Sequence, residues 1–270
     1  MKIGFIGGGN MAEAMIGGML KQGFAAADIR VAEPNPERRA HLVAQFGVSA
    51  AAEAAAMAAV DVLVLAVKPQ ILREVLSGLP RPAPDTCVLS IAAGVRAGDI
   101  ARWLSGHAAV VRAMPNTPAL VGAGITGLYA LPGVDAGQRR RAEQVLKAVG
   151  QVVWVEDEAR IDAVTAISGS GPAYVFLFIE ALEAAALDLG LDADSARALA
   201  LQTVYGAAAL AVQDGSDPAV LRARVTSKGG TTERGIAALE AAAVKLAIGQ
   251  AVEAASRRSA ELGDELGRLA

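Results

Sequence analysis

The chain has 270 residues, and its 25 Lys and Arg against 28 Asp and Glu leave a net charge of −3, which argues against bulk electrostatic binding of nucleic acid or an anionic membrane. One cysteine, Cys87, excludes an intramolecular disulfide framework and a multi-cysteine cluster, and two histidines, His41 and His107, exclude a His-rich site, so no metal is expected. Hydrophobic residues make up 53% of the chain, alanine (60 residues) the largest share, while aromatics are 4%, a balance that favours close-packed helices over β-sandwiches. Gly, Pro or charge interrupts the apolar stretches before the roughly 18 residues of a membrane span. The chain enters a strand almost at once, without the n-region of a signal peptide. A soluble cytoplasmic protein is expected.

Strand-like and helix-like segments alternate through the first half. Ile3 to Ile6 reads as a strand, Met11 to Gln22 as a helix, Ile29 to Ala32 as a strand and Pro36 to Phe46 as a helix. Ala50–Ala59 is alanine-biased and reads as an ordinary helix candidate. Apolar runs follow at Val60 to Val67, Cys87 to Ala92 and Ala109 to Met114, with further strands near Ile125 to Tyr129 and Val152 to Val155. Runs that are unbroken rather than alternating belong to strands buried on both faces, and strands separated by helices belong to parallel βαβ units. The expected class is α/β, with a doubly wound, mostly parallel sheet. Beyond about residue 158 only helices are expected: Asp162 to Ile167, Ala173 to Leu189, Ser195 to Gln213 and Leu239 to Leu262. The second carries only Glu180, Glu183 and Asp188 as charges, so it is expected to be buried, in its own domain or against another subunit. A boundary therefore falls at 156–160, giving domains 1–157 and 158–270.

The opening Gly4-Phe5-Ile6-Gly7-Gly8-Gly9-Asn10-Met11-Ala12 is a strand, a G-x-G-x-x-A turn and a helix. Gly7 permits the tight turn, Gly9 lets backbone approach a pyrophosphate, and Ala12 allows close helix–strand packing, while the helix N-terminus offers N–H groups to phosphate. In this context the motif predicts a dinucleotide site. Glu33, 21 residues after Ala12, suits a ribose 2′-hydroxyl and so NAD(H); Asn35, Arg38 and Arg39 suit a 2′-phosphate and so NADP(H), or else form a solvated helix face. Both cofactors stay open at this point.

Ligands in such sheets sit beyond the carboxyl ends of the strands. There the chain places Ala66-Val67-Lys68-Pro69, Ser90-Ile91-Ala92-Ala93-Gly94 and Met114-Pro115-Asn116-Thr117-Pro118. Small residues at Ala92 to Gly94 let a flat ring lie on the backbone, and Lys68 is either a cofactor contact or a surface lysine. In the helical half, Ser168-Gly169-Ser170-Gly171-Pro172 breaks two helices, and Val225-Thr226-Ser227-Lys228-Gly229-Gly230-Thr231-Thr232-Glu233 opens another. Hydroxyls beside free helix N–H groups make a carboxylate receptor or a simple N-cap. Neither histidine lies in a catalytic motif, and both read as surface positions.

These residues resemble the pyrroline-5-carboxylate reductase family over essentially the whole chain. The resemblance rests on residues 4–12, Ala66-Val67-Lys68-Pro69-Gln70, residues 114–118, Ser168-Gly169-Ser170-Gly171-Pro172-Ala173-Tyr174 and residues 225–232. It implies reduction of 1-pyrroline-5-carboxylate to L-proline with NADPH or NADH, the last step of proline synthesis. It also implies an N-terminal Rossmann domain, an all-helical C-terminal dimerisation domain with interleaved helices, and homodimers that assemble into a homodecamer. Carried over by motif, Ile6, Gly7, Gly8, Gly9, Asn10 and Met11 contact the pyrophosphate and ribose, and Ala66, Val67, Lys68, Pro69, Ile91, Ala92 and Ala93 line the nicotinamide side. Ser227, Gly230, Thr231 and Thr232 hold the substrate carboxylate and ring, Thr232 is the catalytic hydroxyl near the ring nitrogen, and Glu158 lies near the substrate. One departure is Glu53, near where some members carry an asparagine on the adenosine ribose.

Two alternatives stand beside this reading. A 3-hydroxyacid dehydrogenase-like oxidoreductase would need a base in the helical half, where Lys228 and Lys245 are the only lysines. A non-catalytic NAD(P)-binding regulatory protein would share the fold without turnover.

Overall fold

A computed structural model of the chain describes residues 1–57 and 59–268. Eight strands form one sheet in the order β3-β2-β1-β4-β5-β6-β7-β8. They are β1 (Ile3–Ile6), β2 (Ile29–Ala32), β3 (Ser49–Ala51), β4 (Val62–Leu65), β5 (Cys87–Ser90), β6 (Val110–Met114), β7 (Gly124–Ala130) and β8 (Gly150–Trp154). All neighbours are parallel except β6 and β7. Only nine residues, 115–123, join those two. A parallel return needs a crossover of a dozen or more residues, so the short link turns the chain back on itself.

The unbroken apolar runs have a direct cause. On one face Phe5, Val31, Val64, Leu89 and Val111 pack against Met15, Ile16 and Met19 of α1 (Asn10–Lys21), Leu42 of α2 (Pro36–Phe46) and Val145 and Leu146 of α5 (Ala136–Lys147). On the other, Ile6, Leu63, Leu65, Val88 and Val110 pack against Leu72 and Leu76 of α3 (Pro69–Ser77) and Ile100 of α4 (Ala97–Trp103). The central strands β1, β4, β5 and β6 thus bury both faces, as period-2 side chains under two helical layers require. Fully burying one such Leu, Ile or Phe contributes about 1.5–3 kcal/mol. Helix ends follow local chemistry. Asn35 caps α2 by accepting from the Arg38 N–H, Pro36 starts it, and Gly47 ends it in the left-handed region. Asp135 and Gln138 form a capping box on α5.

The helical half consists of α6 (Arg160–Val164), a π-helical turn at Thr165–Gly169, α7 (Gly171–Asp188), α8 (Ala193–Asp214), α9 (Pro218–Arg224), α10 (Thr231–Ala241) and α11 (Val244–Arg268). Contacts divide the chain into two compact units: Met1–Ser170 together with the segment from Ala254 onward, and Gly171–Glu253. The first unit thus includes α6 and the later turns of α11.

Three expectations are corrected. The Ala50–Ala59 stretch is not an ordinary helix: it begins in edge strand β3 and continues in a 3-10 turn at Ala54–Met57. Residues 239–262 are not one helix, because the chain breaks between α10 and α11 at Ala242–Ala243, where Ala243 has φ +53°. His107 is not a surface residue: it is 3% exposed, and its Nε2 donates to the Thr86 carbonyl at 2.9 Å.

Candidate active site

Parallel register sets the row of residues at the carboxyl edge of the sheet. Ala32, Ile6, Leu65 and Ser90 stand side by side at the carboxyl ends of β2, β1, β4 and β5. The residues that follow them, Glu33, Gly7, Ala66 and Ile91, therefore emerge in one row. Backbone bonds carry the ladder one step further: Gly7 N–H donates to Ala32, Ala66 N–H to Ile6 and Ile91 N–H to Leu65. The row straddles β1 and β4, where the winding of the sheet reverses, which is where open α/β sheets bind ligands.

The cradle on β1 fits a dinucleotide. Gly7 has φ +98°, and a Cβ there would stand 2.7 Å from the Ala66 carbonyl oxygen, so only glycine closes this turn. At Gly9 a Cβ would meet nothing within 4 Å. That open backbone forms the N-cap of α1 with no side chain over its first N–H groups. It leaves an anion seat of the kind a pyrophosphate occupies. Ile6, Gly7 and Gly8 are buried beneath it, Gly9 and Asn10 are exposed, and Met11 is half-buried.

The neighbouring loops are equally ordered. Glu33 Oε2 accepts from the Gly8 N–H and Oε1 from the Asn35 N–H, each at 2.9 Å. Arg38 Nε donates to the Gly8 carbonyl at 2.6 Å, and its guanidinium also bonds Glu13. Arg39 donates to the Glu33 and Pro34 carbonyls, each at 2.8 Å. The two arginines are thus not a freely solvated face. On its other side Glu13 meets His41 Nε2 at 2.9 Å, and this hydrogen bond, with Arg38 beside it, holds the Glu13 carboxyl below its ordinary range. Along the row, Ala66 and Val67 are half-buried, Lys68 is exposed at the N-cap of α3, and Pro69 begins that helix. Ile91 is half-buried, Ala92 buried and Ala93 exposed.

Asn116 and Glu158 serve as braces in the same unit. Asn116 Oδ1 accepts from the Ile125 N–H at 3.0 Å. Glu158 Oε1 accepts from the Ala97 N–H at 2.7 Å and from Arg112 at 3.1 Å. Arg112, 4% exposed, also faces Asp162 at 3.8 Å, and Asp162 accepts from Ser259 of α11 at 2.7 Å. Arg112 carried no sequence motif; a charged residue inside an otherwise apolar strand was its only signal.

Ser227, Gly230, Thr231 and Thr232 come together in the second unit, at the start of α10. Gly229 takes φ +71° and its N–H donates to Glu233 at 2.7 Å, while the Gly230 N–H returns to the Ser227 carbonyl. Gly230 is the N-cap and has no side chain to cover the first N–H groups. Ser227, Thr231 and Thr232 are exposed. The result is an uncapped helix start ringed by hydroxyls, suited to a carboxylate. Large apolar side chains of this unit also lie open, among them Phe176 (59% exposed), Leu177, Phe178, Leu201 and Tyr205. By length and apolarity Arg160–Asp188 is one helical stretch that could cross a bilayer.

Residues 158–262 match the family model for pyrroline-5-carboxylate reductase dimerisation, and residues 2–94 match that for NADP oxidoreductase, coenzyme F420-dependent. The chain is 47% identical to a pyrroline-5-carboxylate reductase of Pseudomonas aeruginosa, covering 99% of this chain and 98% of that one. It is 42% identical to that of Haemophilus influenzae, covering 96% and 97%. Among solved structures it is similar to a pyrroline-5-carboxylate reductase of Coxiella burnetii, with a TM-score of 0.91 at 40% identity over 97% of this chain and 98% of the other. It is also similar to the Plasmodium falciparum enzyme with NADP bound, with a TM-score of 0.85 at 29% identity over 97% and 98%.

Proposed function

The chain belongs to the pyrroline-5-carboxylate reductase family, and we propose that it reduces 1-pyrroline-5-carboxylate to L-proline as an NAD(P)H-dependent oxidoreductase. What carries the reading is likeness over the whole length, which takes in both the dinucleotide cradle and the uncapped start of α10.

Bound NAD(P)H supplies the hydride. The chain's own residues bind, orient and deliver a proton. Ile6 to Met11 and the first N–H groups of α1 hold the pyrophosphate and ribose. Ala66 to Pro69 and Ile91 to Ala93 would line the nicotinamide side of the bound nucleotide. The α10 N–H groups, with Ser227, Gly230 and Thr231, hold the substrate carboxylate. The Thr232 hydroxyl donates to the ring nitrogen and relays to it a proton drawn from water as the imine carbon, C2 of the pyrroline ring and C5 of proline, takes the hydride, so that CH=N becomes CH2–NH. An imine is already activated, and holding two reactants in attack geometry supplies much of the acceleration, so no strong general base is needed. Glu158 we read as a brace that fixes the start of α4 and the Arg112 cluster rather than as a ligand of the substrate.

The family's dimerisation model makes the chain a homo-oligomer. We assign residues 158–270 to substrate binding and dimerisation, with 1–157 as the nucleotide domain. A second copy covers the open apolar residues of α7 and α8, and dimers assemble further into a decamer. This gives the apolar Arg160–Asp188 stretch a protein partner, in a soluble, cytoplasmic enzyme.

The test follows loss of reduced nicotinamide absorbance on adding 1-pyrroline-5-carboxylate to purified protein. Imine-dependent oxidation with proline as product is expected. Absence of turnover in protein that binds the nucleotide overturns the reading. Thr232→Ala should lower turnover about 100-fold or more with nucleotide affinity kept, and Thr232→Ser should recover most of it. Unchanged turnover in Thr232→Ala removes the residue from the chemistry.

A further inference from the structure

The geometry at the end of β2 points to a cofactor preference: we propose that Glu33 selects NADH over NADPH by accepting the adenosine ribose hydroxyls, while Glu13 and the backbone hold Arg38 and Arg39 out of the role of phosphate receptors. This rests on the dinucleotide reading of the site given above.

The first support is the way Glu33 is seated. Its two oxygens each take a backbone N–H, from Gly8 and from Asn35, at 2.9 Å. The carboxylate cannot swing aside without leaving both donors unpaired. It is also closely packed: a Cβ on Gly8 would stand 3.3 Å from Oε2 and 2.6 Å from Leu42. Two carboxylate oxygens offer about four lone-pair positions, so acceptor capacity remains for a sugar diol. A 2′-phosphate in the same place brings about −1.5 to −2 of charge against a fixed negative group and offers it no proton.

The second support is independent of the first. NADP sites place an arginine on the 2′-phosphate, and Arg38 and Arg39 are the cations of this loop. Both are engaged elsewhere. Arg38 is clamped between the Gly8 carbonyl and Glu13 on α1, and Glu13 is braced from behind by His41. Arg39 is folded back onto the carbonyls of Glu33 and Pro34. Turning Arg38 toward a phosphate would break its bond to the Gly8 carbonyl and leave Glu13 without its guanidinium.

The experiment titrates the full-length protein with NADH and with NADPH, without imine, following nucleotide fluorescence. Displacement by 5′-AMP and by adenosine 2′,5′-bisphosphate reports the adenosine end alone. The expected result is NADH at least about tenfold tighter than NADPH and displacement by 5′-AMP at lower concentration than by the bisphosphate. Glu33→Ser should narrow or reverse that ratio by about tenfold or more, and Glu33→Gln, which keeps size and loses charge, should move it the same way. NADPH binding as tightly as NADH to the unaltered protein overturns the proposal, as does a ratio unmoved in both variants. Failure of either nucleotide to bind overturns the dinucleotide reading itself, a result distinct from binding in the wrong ratio.

Discussion

Single residues carry constraints here that composition hides. Gly7 combines a left-handed φ with an approach to Ala66 too close for any side chain. Gly7→Ala should therefore cost about 1–3 kcal/mol of stability and weaken NADH binding, measured by urea unfolding and by nucleotide titration. An alanine variant with unchanged affinity would show that the turn tolerates rearrangement. His107 is a second case. Burial holds its imidazole below the ordinary value of 6.5. The unfolded chain thus takes up this proton at higher pH than the folded one. The stability it contributes is full above about pH 6.5 and is lost as pH falls from there toward the lower folded value. Urea unfolding at about pH 7.5 and about pH 5.5 should show a larger loss in the parent than in His107→Gln, and equal losses would exclude the histidine as the cause. Cys87, whose thiol burial pushes up to about 12, is expected to be inert toward thiol reagents in the folded protein.

At the level of elements, the buried Arg112 cluster joins β6, α4, α6 and α11 through Glu158, Asp162 and Ser259. Arg112→Met removes a cation that faces two carboxylates and should cost about 3 kcal/mol, with part of the loss recovered in a double variant with Glu158→Gln. Additive losses in the double variant would argue against a coupled pair. Elements with strong one-dimensional signals were legible in advance. β1 and β4 are apolar throughout, and β2, β5 and β6 nearly so, because both faces are covered, and α2 has Asn, Pro and Gly in the right places. The glycine turn after β1 was legible for the same reason, since its function depends on neighbours in sequence. What escaped depends on partners far along the chain. β3 is an edge strand of three residues whose alanines favour helix by propensity, and only pairing with β2 makes it a strand. The break at Ala242–Ala243 has neither Gly nor Pro to announce it. The anchoring of Arg38 needs the Gly8 carbonyl and Glu13, which no spacing rule links to it.

For the molecule as a whole, the open apolar side chains of α7 and α8 mean that one copy leaves much of its helical unit unfinished. Phe176→Glu should yield a smaller species in sedimentation and low reductase activity while the nucleotide titration stays near that of the parent. An unchanged oligomer would remove Phe176 from the interface. The path of α11 has a different kind of consequence. Its later turns belong to the first compact unit, where Leu262 and Leu266 pack on Gly94, Asp264 pairs with Arg96 and Ser259 reaches Asp162. Everything from Gly171 to Glu253 is synthesised before those turns exist. At about 5–20 residues per second on the ribosome, the nucleotide half waits several seconds for the piece that completes it. During that interval the loop after β5 and Asp162 lack the α11 side chains that cover and pair with them in the finished fold.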